Sequence, residues 1–154
     1  MSTLDIARSD SREVSIHPLA AAGLGAVAFG AAMTAGEVFD LNADTTDVTP
    51  VSMGEIALYV ALVGAAVALA SWLGVRALAR GPQALQRTAM GLAIGSVLTF
   101  VVFWSGWPMV LGAVATALPF AYRRRVGSFS PAVVVSACAG ALSFLAAAVV
   151  CVVG

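Results

Sequence analysis

Glu55 directly precedes a long apolar segment and is the acidic residue that we consider as a candidate to face the interior of a helix bundle. All eight acidic residues lie within residues 1–55, and residues 56–154 contain none. A carboxylate beside a membrane span can belong to a proton or cation path, because acids within membranes often mark such paths. Ser52 and Glu55 also have the spacing of a capping box, in which each side chain accepts from the other residue's backbone N–H. We therefore interpret Ser52 and Glu55 as a helix cap, with an ion contact as the alternative.

Other residues that could do chemistry are few and far apart. Residues 40–44 (DLNAD) resemble the start of a calcium loop, but the glycine and the bidentate glutamate that complete such a loop are missing. His17 is the single histidine, which leaves no set of histidines for zinc. Cys138 and Cys151 are thirteen residues apart on one predicted helix, about 20 Å and too far for a disulfide. We therefore predict no catalytic, cofactor-binding or metal-binding residues.

Several hydroxyl side chains lie within apolar segments that contain no general base. An isolated hydroxyl is a poor nucleophile without such a base, whereas it hydrogen bonds readily to a neighbouring helix in lipid. We therefore predict that the protein is not an enzyme and that these residues bond between helices: Ser96, Thr99, Ser136 and Ser143.

The composition indicates the class of protein that must position these residues. Hydrophobic residues make up 60% of the chain, charged residues 10%, and the mean hydropathy is +0.97. These values lie outside the usual range of soluble domains, and 154 residues leave room for a single bundle. The net charge is zero and no basic domain is present, so we predict no nucleic-acid partner.

An uncharged stretch between Arg87 and Arg123 determines the predicted architecture. Its 35 residues would extend about 52 Å as one helix, well beyond the ~30 Å hydrocarbon core of a bilayer. The chain must therefore turn back, and we place the turn at Ser105-Gly106-Trp107-Pro108 because glycine and proline interrupt helices. The prediction is an all-α polytopic transmembrane bundle with five spans at about residues 18–38, 53–78, 88–104, 107–122 and 131–153. Because 107–122 is short, the alternative is four spans plus a re-entrant helix.

The arginines predict how the bundle is oriented. All eight basic residues are arginines, and six of them flank predicted spans two to four. Because basic residues collect in cytoplasmic loops, we predict a polar cytoplasmic tail at 1–16 and a single transmembrane domain at 17–154. The acidic loop 37–52 and the C-terminus then lie outside the cell membrane. Three arginines are predicted to anchor this topology or to contact anionic lipid headgroups: Arg123, Arg124 and Arg125.

Small residues recur at four-residue spacing within the predicted spans. Gly91 and Gly95 form the clearest pair, and Ser136 and Gly140 repeat the pattern on the last span. Such pairs let helix backbones approach closely in lipid. We interpret all four as helix-packing residues within the bundle, with a protein partner or a homo-oligomer as the alternative.

The run FVVFWSGWPMVLGAVA, followed by the arginine cluster and an Ala/Val-rich last span, resembles small multi-pass membrane proteins of actinobacteria. The resemblance covers about residues 88–154. That group consists mostly of domains of unknown function, so the resemblance implies no activity, cofactor or site. The small multidrug transporters differ at a decisive position, because they carry a glutamate within the first span where this chain has alanine and glycine.

These features predict an integral membrane protein without catalytic activity and without a cofactor. It would serve as a packing partner, an accessory subunit or an envelope component, in contact with the lipid bilayer. The alternative is a small oligomeric transporter or channel that uses Glu55 and the hydroxyls within the spans.

Overall fold

The computed structural model describes residues 17–39 and 52–153, and every element in them is helical. The predicted tail 1–16 and residues 40–51 of the predicted acidic loop lie outside the described residues. The all-α class is confirmed for the described chain. It consists of five α-helices and a 3-10 segment: α1 Pro18–Val38, α2 Met53–Arg80, α3 Pro82–Leu98, the 3-10 segment Thr99–Ser105, α4 Trp107–Val126 and α5 Pro131–Val153.

Four of the five predicted spans have the length and composition that crossing a membrane requires. They are Pro18–Gly36, Met53–Arg80, Pro82–Ser105 and Pro131–Val153. These four helices indicate a membrane location. The α4 helix is not among them, although its 20 residues extend about 30 Å. The α4 helix is less apolar than its neighbours because it contains two prolines and, in its last turn, three arginines.

Glycine and proline set the ends of the helices. Gly81 has φ +99° and Pro82 follows it as the first residue of α3, so α3 begins before Arg87 and not at the predicted residue 88. The predicted turn before α4 is present, with Gly106 at φ +74°. A left-handed backbone of this kind favours glycine, because glycine has no Cβ that would clash. The α4 helix then continues to Val126, four residues beyond the predicted end at 122.

The end of the third predicted span is a 3-10 helix rather than an α-helix. Thr99 begins this segment, and its hydroxyl donates to the Gly95 carbonyl at 2.8 Å. Val102, with φ −115° and ψ 45°, leaves helical geometry altogether. Ser105 donates back to the Val102 carbonyl at 2.6 Å. Hydroxyls that bond to nearby carbonyls compete with the regular backbone hydrogen bonds of an α-helix. Here two such bonds lie in the 3-10 segment that leads into the turn at Gly106.

Contacts between the helices show that α1 and α2 are antiparallel. Gly74, near the end of α2, packs against Pro18 at the start of α1, whereas Gly106 packs against both Phe29 of α1 and Val63 of α2. Short connections from α2 to α5 impose the same alternation on the rest of the bundle. One end, called the basic end below, therefore carries all the described arginines: Arg76, Arg80, Arg87, Arg123, Arg124 and Arg125.

The α4 helix is the central helix of the bundle. It contacts each of the other four helices, and nine of its residues are buried. Val110, Val114 and Leu118 form one core with alanines and leucines of α1, α2 and α3. The α4 helix therefore buries more residues than any other described helix, and this explains how the least apolar of the long helices can sit in the middle.

Candidate functional site

Ser52 and Glu55 form a capping box at the start of α2. The Ser52 backbone N–H donates to Glu55 Oε2 at 2.8 Å, and the Glu55 N–H donates to Ser52 Oγ at 3.2 Å. The Ser52 hydroxyl also donates to Glu55 Oε2, at 3.0 Å. Both residues are exposed. Glu55 is therefore bonded at the end of α2 and does not face the interior of the bundle.

Glycines make close helix crossings where α1 and α5 pack against α4. A Cβ added to Gly112 would lie 2.6 Å from the Gly140 carbonyl oxygen, and one added to Gly140 would lie 2.9 Å from Ala115 Cβ. On the other side of α4, a Cβ at Gly25 would lie 2.8 Å from the Met109 carbonyl oxygen. Real side chains do not fit at such distances. Gly140, a residue predicted to pack, thus lies where α5 crosses α4.

The predicted Gly91–Gly95 face does not make such a crossing within the chain. Gly91 is exposed, and an added Cβ would meet no atom within 4 Å. A Cβ at Gly95 would lie 3.4 Å from Leu111 Cδ1, which is an ordinary contact. The interpretation that Gly91 packs inside the bundle is wrong for this reason. The α3 helix buries a different face: Leu85, Ala89, Leu92, Ala93 and Ser96.

A buried hydrogen-bond network joins α3, α4 and α5. Ser96 is fully buried, and its Oγ lies 2.7 Å from the Pro108 carbonyl oxygen and 2.8 Å from Ser143 Oγ. A hydroxyl has one proton, and a carbonyl can only accept. Ser96 therefore donates to Pro108, and Ser143 donates to Ser96. These three groups, the Ser96 and Ser143 hydroxyls and the Pro108 carbonyl, are called the hydroxyl node below.

Gly112 makes room for the hydroxyl node. A Cβ on Gly112 would lie 3.1 Å from Ser96 Oγ as well as against the Gly140 carbonyl. The close α4–α5 crossing and the hydroxyl node therefore depend on the same missing side chain. The small-residue pattern Gly112-x-x-x-Thr116 is the signal for this crossing that the sequence carries, but Gly91-x-x-x-Gly95 carries the same signal without such a crossing.

Two of the four hydroxyls predicted to bond between helices bond within their own helix instead. Ser136 is buried and donates to the Val133 carbonyl at 2.9 Å, one turn back on α5. Thr99 donates to Gly95, one turn back on α3. Serine and threonine reach such carbonyls easily. Among the predicted four, the link between helices is thus made by the remaining pair, Ser96 and Ser143.

Ser71 is a buried polar residue that the sequence analysis did not identify. It lies on α2, and its hydroxyl has no hydrogen-bond partner among the described residues. A single serine in an apolar helix belongs to no motif, so nothing in its spacing distinguishes it from a solvent-facing or lipid-facing serine.

The described part of the chain holds few groups suited to catalysis. It contains no cluster of three or more His, Cys, Asp or Glu residues that could hold a metal ion. Cys138 is exposed, Cys151 is buried, and both are free thiols. No known protein family, curated protein or solved structure matches the chain. The chemistry that the hydroxyl node can perform is hydrogen bonding between helices.

The arginine cluster lies at the end of α4. Arg123, Arg124 and Arg125 are exposed in its last turn, where positive charge interacts favourably with the helix dipole. Gly127, with φ +83°, ends the helix and donates its N–H to the Arg123 carbonyl at 2.7 Å. The Arg123 guanidinium also lies 5.1 Å from the centre of the Phe129 ring. The cluster thus projects from the basic end, beside the short loop that leads to α5.

Proposed function

We propose that this protein is a non-catalytic integral membrane protein of the cell membrane that acts as a packing partner, an accessory subunit or an envelope component. The interior of the bundle supports this proposal. Among the side chains that the structure describes, the buried polar ones are all serines, and Ser96 and Ser143 bond to each other. Such an interior holds helices together and offers a substrate no described acid or base.

A small oligomeric transporter or channel is the second candidate. The unpartnered, buried hydroxyl of Ser71 favours it, because a polar group in that state can contact water or a polar solute. The position of Glu55 weighs against it, since the carboxylate is bonded to Ser52 at the end of α2. Flux of protons or monovalent cations into sealed liposomes tests this candidate. Flux that Glu55→Gln abolishes in a folded protein would make the transporter the better proposal.

The exposed face of Gly91 provides a direct test of the partner role. Gly91 is exposed and an added Cβ meets no described atom within 4 Å, so Gly91→Ile should leave the thermal stability of the purified protein unchanged. It should, however, remove most of any self-association or co-purifying partner that docks closely against α3. Light scattering and quantitative mass spectrometry after mild-detergent purification measure these two effects.

Gly64→Ile is the matched control for this experiment. Gly64 is also exposed, lies on α2, and has no atom within 4 Å of an added Cβ. Equal loss of association in both variants would indicate a non-specific effect. If both variants retained the oligomeric state and partners of the parent protein, the Gly91 face would meet only lipid.

We further propose that α4 crosses the membrane, with the N-terminus in the cytoplasm and the C-terminus outside. Two observations support this. The α4 helix is packed among four helices that are long and apolar enough to span. The described arginines also gather at one end of the bundle, as basic residues do on the cytoplasmic side.

Labelling of single cysteines tests this topology. In a background lacking Cys138 and Cys151, an impermeant thiol reagent added to intact cells should label Thr46→Cys but neither Gln83→Cys nor Ser128→Cys. Gln83 and Ser128 are both exposed at the basic end. Labelling of Ser128→Cys together with Thr46→Cys would mean that α4 does not cross. Labelling of both Gln83→Cys and Ser128→Cys, but not of Thr46→Cys, would mean that the orientation is reversed.

A further inference from the structure

An apolar groove runs along α4 between α1 and α5. Ala113, Thr116 and Ala117 of α4 form its floor, and Leu24 of α1 and Leu145 of α5 stand on either side. Its volume is about 340 Å³, within the range of roughly 300–1,000 Å³ that is usual for small-molecule sites. The groove exposes part of the helix that is otherwise the most enclosed in the bundle.

The groove offers an occupant almost only hydrocarbon. Thr116 is the one polar residue on its floor, and its hydroxyl donates to the Gly112 carbonyl of its own helix at 2.8 Å. The other lining side chains are alanine, leucine and phenylalanine. Burial in such a groove favours an alkyl chain over any polar ligand.

The groove leads towards the basic end of the bundle. Phe120 lines it, and the Phe120 ring contacts the Phe129 ring edge to face at 6.2 Å between centroids. The Arg123 guanidinium lies 5.1 Å from the centre of the same Phe129 ring. Residues 113, 116 and 120 lie on one face of α4, because they are three and four residues apart. Arg123 is three residues after Phe120 and lies on the same face. A cation therefore stands at the end of the hydrocarbon surface.

We propose that this groove binds an anionic phospholipid, with an acyl chain against α4 and the phosphate at Arg123. The proposal rests on the membrane location proposed above. The apolar floor of the groove suits an acyl chain, and Arg123 at the basic end suits a negatively charged headgroup. Charge at this position distinguishes anionic from zwitterionic lipids, because each base near the surface attracts anionic headgroups.

Native mass spectrometry of the whole chain, purified in mild detergent and titrated with lipid, tests the proposal. The probes are phosphatidylglycerol and phosphatidylcholine with the same acyl chains. We expect one phosphatidylglycerol per chain, bound more tightly than phosphatidylcholine. Arg123→Gln should reduce that preference about five-fold, the contribution of one base near an anionic headgroup. Arg87→Gln, at another exposed arginine of the basic end, is the control and should change nothing.

A second variant tests the acyl-chain part of the groove. Ala117→Phe places a ring on the floor of the groove and should weaken the binding of both lipids about ten-fold, because the ring displaces a few CH₂ groups of the bound acyl chain. Ala68→Phe is the control, since Ala68 is exposed on α2 and does not line the groove. If Ala117→Phe did not fold, as judged by size-exclusion chromatography, the Arg123→Gln comparison would still decide on the headgroup.

Three results would overturn the proposal. Equal binding of the two lipids, with no effect of Arg123→Gln, would exclude an anionic site at this arginine. Unchanged lipid binding by a folded Ala117→Phe protein would exclude the groove. A dimer that Ala117→Phe dissociates would identify the groove as an interface between two copies. The cysteine labelling is a separate measurement, so failure of the membrane topology and failure of the lipid site can be distinguished.

Discussion

Gly112→Ala should lower the free energy of unfolding by about 1–3 kcal/mol or more, the cost usual for overpacking a well-packed core. The added Cβ would lie 2.6 Å from the Gly140 carbonyl oxygen and 3.1 Å from Ser96 Oγ. The first of these atoms belongs to the backbone of α5, so relief requires α4 and α5 to move apart. Gly112→Val should be worse, because its branched side chain needs still more space. Thermal unfolding in detergent, followed by tryptophan fluorescence, measures both changes.

Gly91→Ala is the matched control for Gly112→Ala. Both replacements add one methyl group to a helix in the same hairpin, but an added Cβ at Gly91 meets nothing within 4 Å. The control should therefore be neutral or stabilise the protein by up to about 1 kcal/mol, because alanine favours helix over glycine. Equal stability of Gly112→Ala and Gly91→Ala would show that α4 and α5 do not cross closely at Gly112.

Ser96→Ala should destabilise the protein by about 1–3 kcal/mol, the range for a buried hydrogen bond whose partner is left unsatisfied. The change leaves the Ser143 hydroxyl without its acceptor and the Pro108 carbonyl without the Ser96 donor. Ser143→Ala should cost less, because Ser96 still donates to Pro108. Thermal unfolding of both single variants and the double variant gives the coupling energy, which we expect to be about 0.6–1.7 kcal/mol, as for bonds between membrane helices.

Ser136→Ala provides the control for the hydroxyl node. Ser136 is as deeply buried on the same helix as Ser143, but it donates to a carbonyl of its own helix. Ser136→Ala should therefore destabilise the protein less than Ser96→Ala does. Its effect on stability should not depend on whether Ser96 or Ser143 is also replaced. Additive effects of Ser96→Ala and Ser143→Ala would contradict a direct bond between their hydroxyls.

Some features of this bundle follow from local sequence. Gly106 and Pro108 predict the turn before α4, because glycine accepts a positive φ and proline suits the first turn of a helix. Ser52 and Glu55 form the capping box that their spacing predicts. The same local chemistry also explains two wrong boundaries. The limits of the uncharged run predict that the third span starts at 88 and the fourth ends at 122, whereas Gly81 and Gly127 set these two helix boundaries.

The inward faces of the helices were decided by the tertiary structure alone. Gly91 and Gly112 each begin a pattern of small residues four apart, yet Gly91 is exposed and Gly112 lies at the close crossing of α4 and α5. Likewise, Ser96 and Ser143 bond between helices while Ser136 bonds within its own. In a soluble helix a polar face would have marked the outside, but lipid is as apolar as a protein core. Composition along four of these helices therefore indicates a membrane location, and only packing around α4 determines which side of each helix faces inward.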